Sequence, residues 1–104
     1  MTLMTVGNSA KLYCLNWIER RVKERDGQLS ILDLGCGNAQ NFIRLLKLYP
    51  QVTYVGIEPS AEACAAARRN LDGRDATIIN EWAYNIYGRL VDEQFDSVIS
   101  FSTF

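Results

Sequence analysis

The stretch Ile31-Leu32-Asp33-Leu34-Gly35-Cys36-Gly37-Asn38 decides the fold, because it runs from an apolar strand through a glycine bend into a helix start. Ile31, Leu32 and Leu34 form a short apolar run of the kind found in strands covered on both faces of a parallel sheet. Two glycines one residue apart let the backbone turn tightly, since a side chain at either point would block the chain or anything lying against it. Asn38 offers a side-chain oxygen to the free N–H groups of a helix predicted over about residues 38 to 49. Phe42, Leu45, Leu46 and Tyr49 form its apolar stripe and Pro50 ends it. A strand, a bare turn and a helix start together make a cradle for a polar ligand.

Upstream, residues 8 to 26 read as an amphipathic helix: Leu12, Leu15, Ile18 and Val22 recur at three- and four-residue steps, Asn8 or Ser9 caps the start, and Gly27 closes it. Downstream, Val52 to Ile57 is rich in β-branched and aromatic residues and reads as a second strand, followed by Glu58-Pro59-Ser60, an acid, a turn and a helix cap. Ala61 to Leu71 makes a crossover helix whose alanines let it lie close to a sheet, and Asp72-Gly73 stops it. Ala76 to Ile79 is a third strand, a short helical piece runs to about Val91, and Phe95 to Phe101 is a fourth strand. The regular alternation predicts an α/β, Rossmann-like doubly wound parallel sheet with right-handed crossovers, in one domain spanning residues 1–104. The segment Val98 to Phe101 is apolar enough for a sheet interior, yet nothing after it covers its outer edge. The expectation is a chain truncated after its fourth strand, the leading half of a longer protein, or one that self-associates through the exposed fourth-strand edge.

Composition narrows the possible functions. The 104 residues carry a net charge of −1 and 48% hydrophobic residues, which supports a packed core and gives no sign of a nucleic-acid surface. The run Glu19-Arg20-Arg21-Val22-Lys23-Glu24-Arg25 interleaves acids with bases and reads as a solvated helix face rather than a substrate-steering patch. Three cysteines without paired spacing argue against a disulfide framework, and the absence of histidine argues against a zinc site. Cys14 and Cys64 fall in helical patterns as small buried hydrophobes. No stretch approaches the ~20 apolar residues of a membrane span, the start lacks the basic and apolar segments of a signal peptide, and the expected compartment is the cytoplasm.

In sheets of this kind ligands bind outside the carboxyl ends of the strands, where the strand order reverses. Four pieces map there: Gly35 to Asn38, Glu58 to Ser60, Asn80 to Ala83, and Ser100 to Phe104. Glu58 follows Gly35 by 23 residues, near the ~20-residue offset at which an acid after the second strand reaches ribose hydroxyls. A carboxylate suits a diol because it accepts two hydrogen bonds and need donate none. The plainer role for Glu58 is a cap beside Ser60. A dinucleotide site calls for a third glycine, G-x-G-x-x-G, and that position is Gln40, which weakens an NAD(P)-dependent oxidoreductase.

Leu32-Asp33-Leu34-Gly35-Cys36-Gly37-Asn38 resembles the first motif of class I S-adenosylmethionine-dependent methyltransferases, particularly the small-molecule type, and the resemblance covers about residues 28 to 104. Position 39, where the family often has a further glycine, is Ala39. The resemblance implies S-adenosyl-L-methionine as cofactor, with the Gly35-Cys36-Gly37 backbone against its aminoacyl and ribose portions and Asn38 among the cofactor-binding residues. It gives Asp33 either a structural bond to the loop or a water-mediated contact with the ammonium group. Glu58 corresponds to the ribose-binding acid and Pro59 to a residue near the adenine face. Glu81 would accept from the adenine amino group and Trp82 would donate its backbone N–H, or else its indole plugs the core or makes a stacking wall. Phe95 to Ile99 resembles the fourth-strand motif, with Asp96 structural and Ser100 and Phe101 facing the methionine part through their backbone. Ser102 and Thr103 point toward an acceptor or begin a loop. The implied function is methyl transfer to an unidentified acceptor, a small molecule by the type resembled, with no catalytic base named and no metal. The alternative is a non-catalytic S-adenosylmethionine-binding fragment or regulatory module.

Overall fold

A computed structural model describes residues 2–5, 10–90 and 95–101. Among these residues five strands form one all-parallel sheet: β1 (Thr2–Thr5), β2 (Ser30–Leu34), β3 (Thr53–Glu58), β4 (Ala76–Asn80) and β5 (Ser97–Ser100), in the order β1-β5-β2-β3-β4. Four helices connect them: α1 (Lys11–Glu24), α2 (Ile43–Leu48), α3 (Ala61–Asn70) and α4 (Ala83–Leu90). The first three crossovers step the same way across the sheet, whereas β4 to β5 steps back; right-handed connections therefore put α1, α2 and α3 on one face and α4 on the other. The two buried clusters follow this division. Ile31, Tyr54, Ile78 and Ile99 pack with Cys14, Ile18, Val22, Leu45, Leu46, Cys64 and Ala67 of the first three helices. Leu32, Leu34, Ile57 and Val98 pack with Ile86 and Leu90 of α4.

Three expectations are corrected. Strand β1 was not foreseen. It pairs with β5 in register Thr2 with Ser97 through Thr5 with Ser100, so the strand read as the exposed edge lies inside the sheet, and self-association through that edge loses its basis. The buried stripe of α1 is Cys14, Ile18 and Val22 at strict four-residue steps, while Leu12 is 70% exposed. The helix expected from residue 38 begins instead as a 3-10 turn, Gln40–Phe42, and becomes α-helical at Ile43. Its start is delayed because Ala39 is left-handed, φ 61°, and the chain spends residues 35 to 39 completing the bend. Val91, and the cap proposed at Asn8 or Ser9, lie outside the described residues.

The amino ends of β2 and β5 are clamped by Asp96, as its structural role requires. Its carboxylate accepts from the Ser30 N–H at 2.8 Å and the Ser30 hydroxyl at 3.1 Å, and pairs with Arg25 at 3.3 Å. At the other end, Gly56 of β3 lets the bend lie against the sheet: a Cβ there would sit 2.7 Å from Cys36 Sγ and 3.0 Å from both Cys36 Cβ and Tyr54 Cε1. Gly56→Ala is accordingly expected to lower stability by about 1–3 kcal/mol through overpacking, read as a lower urea midpoint with unchanged slope. An unchanged midpoint would show that the bend can yield.

Candidate functional site at the carboxyl rim

Because every strand is parallel, the carboxyl ends of β2, β3, β4 and β5 share one rim. The bend after β2 is strapped to the end of β3: the Gly35 and Cys36 N–H groups both donate to the Ile57 carbonyl, at 2.8 and 3.0 Å. Gly35, Gly37 and Ala39 are all left-handed, with φ of 75°, 58° and 61°. A bend of this alternating kind aims N–H groups outward and attracts an anion. Here the anion is the protein's own. Glu58 Oε1 accepts the Gly37 N–H at 2.9 Å, and Oε2 accepts the Ser60 N–H at 2.9 Å. Glu58 therefore joins two consecutive strand-to-helix turns, and its cap role and its position at the bend are one arrangement. A Cβ on Gly37 would meet nothing within 4 Å, so this bend opens onto free space.

The remaining rim residues are tied to the same point. Asn80 Nδ2 donates to the Glu58 and Pro59 carbonyls, both at 3.0 Å, and the Glu81 N–H donates to the Glu58 carbonyl at 3.0 Å. Asn38 Oδ1 accepts the Gln40 N–H at 3.0 Å, and the Asn38 carbonyl accepts from Asn70 Nδ2 of α3 at 2.9 Å. Glu81 turns its carboxylate onto the start of α4, accepting the Trp82 N–H and Asn85 Nδ2, each at 2.8 Å; these contacts hold its carboxyl below the usual range. The Trp82 indole is 54% exposed and stacks on Tyr84 with ring centroids 6.0 Å apart, so it is not a core plug. Ser100 is buried at the end of β5, next to the strand that carries the bend. Ser102 and Thr103 lie outside the described residues.

Beneath the bend lies a group that sequence reasoning passed over. Tyr54, noted only as a strand residue, donates its hydroxyl to Asp33 Oδ2 at 2.5 Å, with both side chains buried. Burial pushes the Asp33 carboxyl up to about 7; the Tyr54 hydroxyl works against this, and the charge of Glu58 adds to it. Burial likewise pushes the Cys36 thiol up to about 12, so this cysteine contributes backbone and bulk rather than a thiolate. Period-two alternation puts residues 54, 56 and 58 on one strand face, but only the register of β2 on β3, with Asp33 opposite Gly56, brings Tyr54 to Asp33. Asn80 was placed at the rim by its position, but its bonds to the Glu58 and Pro59 carbonyls were not foreseen. Cavities of about 340 Å³ at Arg25, Ser30, Thr53 and Asp96, and about 180 Å³ at Arg68, Leu71, Gly73 and Ile78, lie away from this rim.

An all-parallel doubly wound sheet with a glycine bend and a strand-end acid at its carboxyl rim defines a Rossmann-like α/β domain. The chain belongs to the class I S-adenosylmethionine-dependent methyltransferases: the family model of the methyltransferase domain matches residues 32–104. Among curated relatives, it is 38% identical over 81 residues to the release factor glutamine methyltransferase of Agrobacterium fabrum, covering 73% of this chain and 26% of the relative. The protein of the same description from Geobacter sulfurreducens is 28% identical over 83 residues, covering 80% and 29%. The chain thus spans between a quarter and a third of the length of the curated relatives it matches. Among solved structures, an S-adenosylmethionine-dependent methyltransferase from Agrobacterium tumefaciens superposes with TM-score 0.73 at 16% identity, over 86% of this chain and 30% of that one, a likeness of fold alone. The sugar N-methyltransferase KedS8 of a Streptoalloteichus species gives TM-score 0.61 at 27% identity, over 85% and 33%. Among the described residues no helix is long and apolar enough to cross a membrane.

The Asp33 carboxyl makes stability depend on pH in a defined direction. Folded, it takes up its proton near 7; unfolded, near the ordinary 3.8. Between these values the folded state binds more protons, so this group makes stability fall as pH rises. The difference in unfolding free energy between wild type and Asp33→Asn, measured by urea titration from about pH 4 to about pH 7, is expected to shift toward the variant by up to about 4 kcal/mol, one pKa unit being about 1.4 kcal/mol. Parallel pH profiles would place the Asp33 carboxyl in contact with water.

Proposed function

We propose that residues 1–104 form the cofactor-binding part of an S-adenosyl-L-methionine-dependent methyltransferase, with acceptor recognition and any general base supplied largely outside them. The observation that carries this reading is the Glu58 carboxylate on the Gly37 N–H. In a dinucleotide site the bend's N–H groups serve a pyrophosphate. Here a fixed negative charge already occupies that place, repels a phosphate, and suits a ligand that offers hydroxyls and positive charge. The open side of Gly37 leaves room for such a ligand against bare backbone, and the bend itself carries no lysine or arginine for a phosphate. The residues present therefore fit S-adenosylmethionine.

In this reading Glu58 keeps its two N–H partners and accepts ribose hydroxyls with its remaining lone pairs. Gly35, Cys36, Gly37 and Asn38 present backbone to the sugar and aminoacyl portions, with Asp33 beneath them. Pro59, Glu81 and Trp82 border the adenine, Glu81 exchanging its capping bonds for the amino group, and Ser100 closes the methionine side. When bound, S-adenosylmethionine supplies an electrophilic sulfonium methyl for in-line displacement by the acceptor, so the protein's share is position and exclusion of water. The acceptor in this reading is a small molecule, as the sugar N-methyltransferase neighbour suggests. A protein glutamine is the second reading, favoured by the two release factor relatives. The three cysteines are free and buried, which suits the reducing cytoplasm proposed for this chain.

Calorimetric titration tests this directly. S-adenosylhomocysteine is expected to bind the wild type, and Glu58→Ala to lose about 1–3 kcal/mol of that affinity, the usual loss of hydrogen bonds to a charged acceptor. Glu58→Gln, which retains one oxygen, is expected to lose less. Tight NAD binding with no response to S-adenosylhomocysteine would contradict the reading, and unchanged affinity in Glu58→Ala would reduce this residue to a cap.

A further inference from the structure

We propose that Tyr54 is a positioning residue: its phenol holds the buried Asp33 carboxyl beneath the glycine bend and sets its charge, so that one proton controls how strongly the rim prefers a cationic ligand over a neutral one of the same shape. The inference rests on the cofactor assignment above and concerns a group that this assignment leaves without a defined task.

The geometry is specific. The Tyr54 hydroxyl donates to Asp33 Oδ2 at 2.5 Å, with Tyr54 1% and Asp33 4% exposed. The Tyr54 ring is held by Phe42, centroid to centroid 5.1 Å, and Phe42 in turn stacks on Phe101 at 6.1 Å. Gly56, between Tyr54 and Glu58 on β3, has no space for a side chain because Cys36 and Tyr54 already fill it. The phenol therefore has little freedom to leave its carboxylate.

The charges around the pair are one-sided. From β3 come Tyr54 itself and the Glu58 carboxylate, and from the bend comes the Cys36 thiol. From α3, Cys64 acts on Cys36. The helix start and the end of β5 bring the apolar side chains of Phe42, Ile99 and Phe101 to this cluster. Among the described residues no lysine or arginine pairs with Asp33. Ionised, Asp33 is thus a buried negative charge stabilised by the Tyr54 hydroxyl and opposed by Glu58, and burial pushes its carboxyl up to about 7. A positive charge arriving at the rim favours this ionised form. By reciprocity, the ionised form binds positive charge more tightly.

S-adenosylmethionine and S-adenosylhomocysteine differ at sulfur by one methyl group and one positive charge, which makes the ratio of their affinities the natural readout. Titration calorimetry on this chain from about pH 6 to about pH 8 is expected to show the ratio of S-adenosylmethionine to S-adenosylhomocysteine affinity rising roughly fivefold or more. In Asp33→Asn the ratio should be flat. In Tyr54→Phe the rise should persist but move to higher pH, because the lost hydrogen bond favoured the ionised carboxyl; a merely structural tyrosine would alter both affinities without moving the inflection. A flat ratio in the wild type, an Asp33→Asn profile parallel to the wild type, or an unmoved inflection in Tyr54→Phe overturns the proposal while leaving the cofactor assignment intact. Failure of both ligands to bind at any pH overturns the assignment and the proposal together.

Discussion

The arrangement at the rim depends on one carboxylate. Glu58 closes β3 and accepts one N–H from each of two turns, Gly37 ahead of α2 and Ser60 ahead of α3. Left-handed backbone at Gly35, Gly37 and Ala39 would otherwise leave an outward N–H group without an acceptor, and such groups are costly when removed from water. Supplying the acceptor from the neighbouring strand has two effects. It fixes the bend relative to β3 and α3, and it fills the site with negative charge before any ligand arrives. The first is a matter of stability. In the function proposed here the second selects the ligand, disfavouring phosphate and favouring hydroxyls and cations.

That carboxylate can reach the bend only because of what lies around it. The register of β2 on β3 puts Leu34 beside Ile57, so the chain leaving β2 meets the end of β3 at once. Gly56 removes the side chain that would hold Cys36 away. Asp96 and Ser30 pin the opposite ends of β5 and β2, which keeps the two strands in step along their length. Ala39 adopts a conformation more costly for alanine than for glycine, yet its methyl is buried in the core cluster, where packing offsets that cost. β1 then covers β5, and an apolar strand that would be a hazard at an edge becomes an interior one.

Much of this was legible in the residues. Apolar runs and glycine punctuation gave β2 through β5 and the helices between them to within a few positions, because buried parallel strands and amphipathic helices have distinct periods. The nearness of Glu58 to the glycine bend was legible as its spacing from Gly35, since a βαβ unit has a narrow range of lengths, but its bond to the Gly37 N–H was not. What escaped had no local signature. Thr2–Thr5 is only four residues long, and its pairing with β5 is what makes it a strand. Leu12 and Cys14 both fit a helical stripe, and the sheet's position selects Cys14. The meeting of Tyr54 with Asp33 and of Asn80 with Glu58 depends on strand register, which single-sequence patterns do not encode.

Amide chemical shifts recorded while S-adenosylhomocysteine is titrated into the isotopically labelled chain test the central claim most directly, that the bend and the carboxylate beside it hold one ligand. The largest changes are predicted at the Gly35, Gly37, Ser60 and Glu81 N–H groups, which lie in the bend and around Glu58. Changes concentrated on Arg25, Gln28, Ser30 and Thr53 at the amino ends of the strands, with the bend unmoved, would contradict it.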